Sequence, residues 1–381
     1  MHLGGLVMAL TKYKLGELIE QSDERNSDNK FTLDNVKGIS IQKIFIETKA
    51  NMEGVSLTPY KLVRPDDFAY VTVTSRNGEK ITLTHNTTED TYIVSSSYIV
   101  FCVKRTDLLL SNYLFMYFNR TEFDRFSRFN SWGSARETFS WEDFCDIDID
   151  LPPIDIQQKY VDIYNAMISN QQCYERGLED LKLTCDAFID TLKHKRQGVP
   201  IGDYITVTDK KNVENKQYRF AGLSMENYFI DSIADENNLD FTKYKIVEPG
   251  EIGCVLMKVG RDARITIARN ESSECYLISP AYYTFSINGI NSDYFMLNVN
   301  RSEFERRGWF SCDSSARASL PWIEFCNLTI PKATEEEQEI VGYIYQSLLL
   351  RTNINNKLKA QIKDICPILI KGSIEEARKE A

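Results

Sequence analysis

Along residues 160–192, side chains that favour an apolar face return at intervals alternating four, three, four, three. Tyr160, Tyr164, Met167, Gln171, Tyr174, Leu178, Leu181, Cys185, Phe188 and Leu192 occupy these positions, with Gln171 as the polar member. A spacing that averages 3.5 keeps one stripe on one side of an α-helix and predicts a coiled-coil seam. A second run holds Val341, Ile344, Leu348, Arg351, Asn355, Leu358, Ile362, Ile365 and Leu369. Arg351 and Asn355 interrupt it in the middle, where a polar layer can fix register. Pro367 is expected to kink or end this helix early, because it lacks an N–H and crowds the preceding turn. The first run alone would span about 48 Å at 1.5 Å per residue, longer than the face of a small domain. The two helices are therefore expected to pair antiparallel with each other; the alternative is that each packs singly on its own domain.

Outside these runs the pattern is of short strands and helices, and it occurs twice. Tyr60-Lys-Leu-Val-Arg-Pro65 returns as Tyr244-Lys-Ile-Val-Glu-Pro249, an offset of 184. Asn119-Arg-Thr-Glu-Phe123 returns as Asn300-Arg-Ser-Glu-Phe304, and Ser134-Ala-Arg136 with Trp141, Phe144 and Cys145 returns as Ser315-Ala-Arg317 with Trp322, Phe325 and Cys326, both at 181. Collinear matches at so long a period mean a duplicated domain, not a solenoid. Each copy predicts strands rich in Tyr, Val, Ile and Thr, a helix near residues 111–126 or 292–306, and a closing proline at Leu151-Pro-Pro153 or Ile330-Pro331. The predicted architecture is α+β: two duplicated mixed α/β domains joined by two long antiparallel helices, with a pseudo-two-fold axis between the copies. The expected boundaries are an extension (1–10), a first copy (11–153), a central helix (154–196), a second copy (197–332), a distal helix (333–370) and a tail (371–381).

Composition excludes several classes. With 43% hydrophobic and 26% charged residues the chain is neither disordered nor collagen-like. Its 9 cysteines include no Cys-x-x-Cys pair, which suits free thiols in a reducing cytoplasm better than a disulfide scaffold. The apolar start lacks a basic flank and is too short to span a bilayer, and no long apolar run follows, so no membrane partner is expected. Residues 1–7 read as a tag or an upstream start before Met8. Net charge is -10, which taken alone disfavours a nucleic-acid partner. Its distribution favours one: residues 104–136 carry 6 basic and 3 acidic side chains, residues 258–269 carry 4 basic and 1 acidic, and residues 142–155 carry 6 acids and no base.

No catalytic constellation is legible. Leu151-Pro-Pro-Ile154 has neither the amide or carboxylate nor the ring that an adenine methyltransferase needs to hold a flipped base. A phosphate-binding Gly-x-x-x-x-Gly-Lys-Ser/Thr loop is absent. Pro65-Asp66 with Glu79-Lys80 only loosely imitates a nuclease centre, and His2, His85 and His194 are scattered without a zinc partner.

A duplicated domain, a Leu-Pro-Pro stop, Gln-bearing helix starts (Gln157-Gln158 and Glu337-Gln338) and paired long helices together resemble the specificity subunit of type I restriction-modification enzymes over about residues 11–370. Pro249-Gly-Glu-Ile-Gly253 looks like a segment of that family's target-recognition domains; the first copy departs there, with Pro65-Asp-Asp-Phe-Ala69. The resemblance implies that each copy reads one half of an asymmetric, bipartite site on double-stranded DNA. Two modification subunits would grip the long helices, and two restriction subunits would join outside them. It implies no catalysis and no cofactor in this chain: S-adenosylmethionine, ATP and Mg would belong to partner subunits. Two heads about one helical turn of DNA apart, roughly 34 Å, would read two half-sites on one face.

Candidate DNA contacts are Arg76, Arg105, Arg125, Arg128 and Arg136 in the first copy and Lys258, Arg261, Arg264, Arg306, Arg307 and Arg317 in the second. A guanidinium can fork onto a phosphate or onto guanine O6 and N7. Arg136 and Arg317 occupy the same place in both copies; the competing role for each is an ion pair with a carboxylate such as Glu137 or Glu324. Trp141 and Trp322, one turn from Phe144 and Phe325, are expected in the core. Two other functions compete: a scaffold with two protein-binding heads, which the acidic net charge favours, and an enzyme, which the missing motifs disfavour.

Overall fold

The computed structural model describes residues 10–380 except 49, 76, 77, 79, 135, 233–238, 258 and 314–317. The expectation for residues 1–7 lies outside them. The chain divides into two compact units, Met1–Cys173 with Asn356–Ala381, and Tyr174–Asn355. Each is a mixed α+β body, and each is described by itself.

In the first unit, Ile19–Ser22, Tyr98–Val103, Phe68–Val71 and Leu83–His85 form an antiparallel sheet in that order. In the second, Ile205–Val207, Tyr283–Ile287, Ile252–Val255 and Thr266–Arg269 form the same sheet in the same order. A short two-stranded ribbon closes each copy: Thr11–Lys14 with Asp148–Leu151, and Gly198–Pro200 with Thr329–Pro331. Phe68, Tyr70, Phe101 and Phe144 stack in the first core; Phe285, Phe295, Phe304 and Phe325 fill the second. Trp141 stacks on Phe144 and Trp322 on Tyr283, so both tryptophans face the core.

The helix expected near residues 111–126 is two helices, Ser111–Phe118 and Thr121–Phe129; its counterpart is Ser292–Val299 and Ser302–Phe310. Arg120 and Arg301 interrupt the run with an extended backbone (ψ 142° and 141°), so each second helix leaves in a new direction.

The long helices are Ile154–Lys195 and Glu335–Glu380. In the first unit Tyr160, Val161 and Tyr164 pack with Ile365, Cys366, Leu369 and Ile370 in the same core as the sheet. Lys159 bonds Glu376 at 2.7 Å, and Tyr160 covers Gly372. Rising numbers on one helix meet falling numbers on the other, which is antiparallel pairing. In the second unit Cys185, Ile189 and Leu192 share a core with Val341 and Tyr345, Arg196 reaches Glu337 at 2.8 Å, and Arg351 lies over Gly177. All ten positions of the first seam are buried or half-buried. The helices thus pair with each other and also enter the cores of the copies, which combines the two expected arrangements. Gln171 and Asn355 are both buried.

Two expectations for the distal helix are corrected. Pro367 does not stop it, and residues 371–380 are its last turns rather than a tail. The lost backbone bond, worth about 3 kcal/mol, is offset by burying Cys366, Leu369 and Ile370 just around the proline and Ala377 beyond it. The buried Tyr113 hydroxyl meets Ser373 Oγ at 2.7 Å, which fixes the extended end to the first copy.

The two glutamines at the helix starts have one mechanical job. Gln157 accepts a hydrogen bond from the Leu110 N–H and donates to the Leu108 and Pro152 carbonyls; Gln338 accepts from Asn291 N–H and donates to the Ala333 carbonyl. Each clamps the head of a long helix to the start of the helix at Ser111 or Ser292. Beside that clamp the copies differ. In the first, Asp66 takes His85 Nε2 at 2.9 Å and the Ser111 hydroxyl at 2.7 Å. The aspartate stands between serine and histidine, so this buried histidine activates no nucleophile. In the second, Gly250 stands in the aspartate's place and Arg269 ties Glu271, Asp293 and Ser292 together.

Arg301 is buried and forks onto Asp186 (2.5 Å) and Asp190 (2.7 Å) of the first long helix, bolting helix to copy within the second unit. Arg301→Ala is expected to lower stability by about 2 kcal/mol, less than a wholly buried pair costs because both aspartates stay wet; an unchanged urea midpoint would contradict this. Asp67 is buried beside Asp66, and burial pushes its carboxyl up to about 6. A raised carboxylate contributes stability while protonated and loses it as pH climbs through roughly 4 to 6. Asp67→Asn should therefore flatten the melting temperature across that window and raise it at neutral pH, measured by thermal unfolding in a pH series.

Candidate nucleic-acid interface

Equivalent contacts in both copies bring the end of the second short helix to a loop edge. In the first copy Phe139 N–H donates to Thr72 O and Thr74 N–H to Glu137 O; in the second, Leu320 N–H donates to Leu256 O and Gly260 N–H to Ala318 O. In the first copy the loop carrying Arg136 is therefore pinned alongside the turn that follows the third sheet strand, and in the second Ala318 and Leu320 are held in a similar way.

In the first copy Trp132 and Thr138 form a β-bridge that closes this loop. Gly133 has φ +142° and a backbone so tight that a Cβ would come within 2.2 Å of the Arg136 carbonyl oxygen, so only glycine fits. Arg136 stands exposed on this loop. Arg128 comes from the neighbouring helix and pairs with Glu137. Arg125, one turn earlier, is exposed and loosely faces Glu122 at 3.9 Å. Arg125, Arg128 and Arg136 thus belong to one surface. Arg105 does not: strand register puts it beyond the opposite end of Tyr98–Val103 from Val71, about 20 Å away at 3.3 Å per residue. It forks onto Asp107, whose carboxyl it holds below the usual carboxylate range. Arg76 lies outside the described residues.

In the second copy Arg261 sits exposed on the short helix Val259–Asp262, and Trp309 donates its indole N–H to the Gly260 carbonyl at 2.9 Å. Arg306 is exposed on the helix beside it. Arg264 is exposed but donates to the Met225 carbonyl at 2.9 Å. Arg307, one of the candidates, is half-buried: it bonds the Thr329 carbonyl and hydroxyl, pairs with Glu303 and lies over the Phe304 ring. These bonds hold the helix to the closing ribbon, a structural role that competes with a DNA contact. Lys258 and Arg317 lie outside the described residues.

Sequence reading missed two features. The exposed rings Phe129, Trp132, Trp309 and Phe310 border these arginines; Phe129 and Phe310 share the 181 offset, which was the available signal. The acids of residues 142–155 are also less repulsive than their number suggests. Lys12 and Lys14 bond Asp148, which they hold below its usual range, and Lys14 also pairs with Asp146.

Residues 10–180 match the model of the type I restriction modification DNA specificity domain. Those residues, somewhat under half of the chain, are thus similar to that domain. The internal repeat and the equal sheet order show that the second copy has the same build as the matched one. Among solved structures, the S subunit of a type I restriction-modification system from M. genitalium superposes with a TM-score of 0.58 at 12% identity, over 98% of both chains, which shows a shared fold. The HsdS subunit from Thermoanaerobacter tengcongensis gives 0.37 at 13%, covering 98% of this chain and 97% of that one. A chain from a study of type I R-M complex assembly and conformational transition gives 0.41 at 14%, over 97% of both. No curated protein matches. Among the described residues, no helix is long and apolar enough to cross a membrane, and no group of three His, Cys, Asp or Glu could hold a metal.

Arg136→Ala is expected to weaken DNA binding about tenfold, or about 1.4 kcal/mol, and to reduce the salt dependence by about one counterion. Gel shifts over a salt series measure both, and affinity equal to wild type would refute the contact.

Proposed function

We propose that this chain is the DNA-reading subunit of a type I restriction-modification complex, with each copy contacting one half of an asymmetric bipartite site. One observation supports the reading: residues 10–180 match the DNA specificity domain, and the internal repeat and equal sheet order build the same unit a second time, with similar backbone bonds holding the loop after the second short helix. Residues that differ between copies, such as Arg128 against Trp309, choose the bases; the shared ones dock the backbone. The two long helices, 42 and 46 residues long, would set the stretch of unread base pairs between half-sites.

In this reading the chain performs no chemistry. Two modification subunits carry S-adenosylmethionine and methylate adenine, and two restriction subunits carry ATP- and Mg-dependent cleavage. All of them work with it in the cytoplasm. The scaffold alternative gains no observation of its own.

Expression of this chain with its modification partner in a methylation-free host, followed by single-molecule methylome sequencing, is expected to show one split motif with an adenine methylated in each half. No motif of that form above the background of the partner alone would overturn the reading.

A further inference from the structure

We propose that Phe129 and Phe310 are wedges that enter the base stack of duplex DNA, one in each half-site. Each works with an arginine one helical turn behind it, Arg125 or Arg306, that holds the adjacent phosphate. The proposal rests on the DNA-reading function above and adds a mode of contact to it.

The argument begins with helix faces. In Thr121–Phe129 the buried positions are Phe123, Asp124 and Ser127; in Ser302–Phe310 they are Phe304, Glu305 and Gly308. The opposite face therefore looks outward, and on it an arginine and a phenylalanine stand four residues apart: Arg125 with Phe129, Arg306 with Phe310. Residues four apart are neighbours on a helix surface. Both members of the couple keep the 181 offset, and both rings are the last helical residue, at the rim of the pinned loop.

The exposure is extreme. Phe129 is 78% and Phe310 86% accessible, beside Trp132 at 64%. A single exposed ring is ordinary on a protein surface. Here the same ring is left in water at the same helical turn twice, although its neighbours have changed from Ser127, Arg128 and Asn130 to Gly308, Trp309 and Ser311. Other exposed aromatics lie nearby in sequence, Phe126 and Trp132 in one copy and Trp309 in the other. What recurs in both copies is the exposed arginine one turn behind the ring, Arg125 or Arg306, which pairs an apolar wedge with a cation. A charged exterior with an apolar, stacked interior is the chemistry of duplex DNA. Apolar wedges of this kind part a base step and kink the duplex. The helix C-terminus bearing each ring has a negative dipole end, so the arginine, not the backbone, must meet the phosphate.

The test uses the full chain assembled with its modification subunit. The probe is a duplex bearing the motif methylated in expressing cells, with 2-aminopurine at successive positions other than the methylated adenines. Wild type is expected to brighten one step in each half-site. Phe129→Ala should abolish brightening in one half and Phe310→Ala in the other. Each should weaken binding about tenfold, with unchanged salt dependence because no charge is lost, and with an unchanged melting temperature because the ring is outside the core. Affinity within about twofold of wild type, or brightening that survives the substitution, would overturn the wedge while leaving the DNA-reading function intact. Loss of assembly with the modification subunit in the absence of DNA would assign the rings to a protein interface and also overturn it. Failure of the wild-type complex to bind or methylate any split motif would remove the DNA-reading function itself, and the wedge with it.

Discussion

Burial of one long helix against the other is the constraint on which everything else depends. In each unit the helices run antiparallel and place their seams in the same core as the sheet. Neither copy has a core that is complete without them: Val161, Cys366, Leu369 and Ile370 belong to one, and Cys185, Ile189, Val341 and Tyr345 to the other. A side chain at the helix interface is therefore also a core side chain of a copy. That dual use explains why a proline is tolerated at position 367. The helix is held by what it buries, so one missing backbone bond does not end it.

The copies share a frame and differ in its fastenings. Gln157 and Gln338 make equivalent clamps, and the loop beside the sheet is pinned by equivalent backbone bonds. The polar post next to the clamp is Asp66 with His85 in one copy and Arg269 with Asp293 in the other. Arg301 bridges to two aspartates, whereas its counterpart Arg120 lies over the Tyr117 ring at 3.7 Å. Backbone-to-backbone bonds do not depend on side-chain identity, so a duplicated frame can keep its shape while the surface diverges.

The seam was legible because burial repeats with the period of the helix, and the duplication because an offset needs no structure to be seen. What resisted reading was whatever depends on partners distant in sequence. Nothing near Arg307 announces that Thr329 will take its guanidinium, and nothing near Arg128 announces Glu137 across a closed loop. The break at Arg120 and Arg301 escaped because the hydrophobic pattern runs through it; an extended backbone at one residue leaves no trace in periodicity. The paired rings were legible in principle, since Phe129 and Phe310 obey the same offset as their arginines. They were passed over because a phenylalanine in a helix is expected to face inward.

Net charge misleads for a related reason. A total of -10 describes the whole chain, whereas in the proposed reading a duplex would touch only one face of each copy. Over a Debye length of about 8–10 Å the acids elsewhere are screened. Asp146 and Asp148 are further answered by Lys12 and Lys14 in the closing ribbon, which lies at the edge of the copy and serves its fold. Among the exposed arginines, Arg125 and Arg136 belong to one surface of the first copy, and Arg261 and Arg306 stand on neighbouring short helices of the second. If the proposed reading holds, an acidic total with local basic faces would keep general attraction to DNA weak, so that binding would depend on contacts that only the right geometry completes.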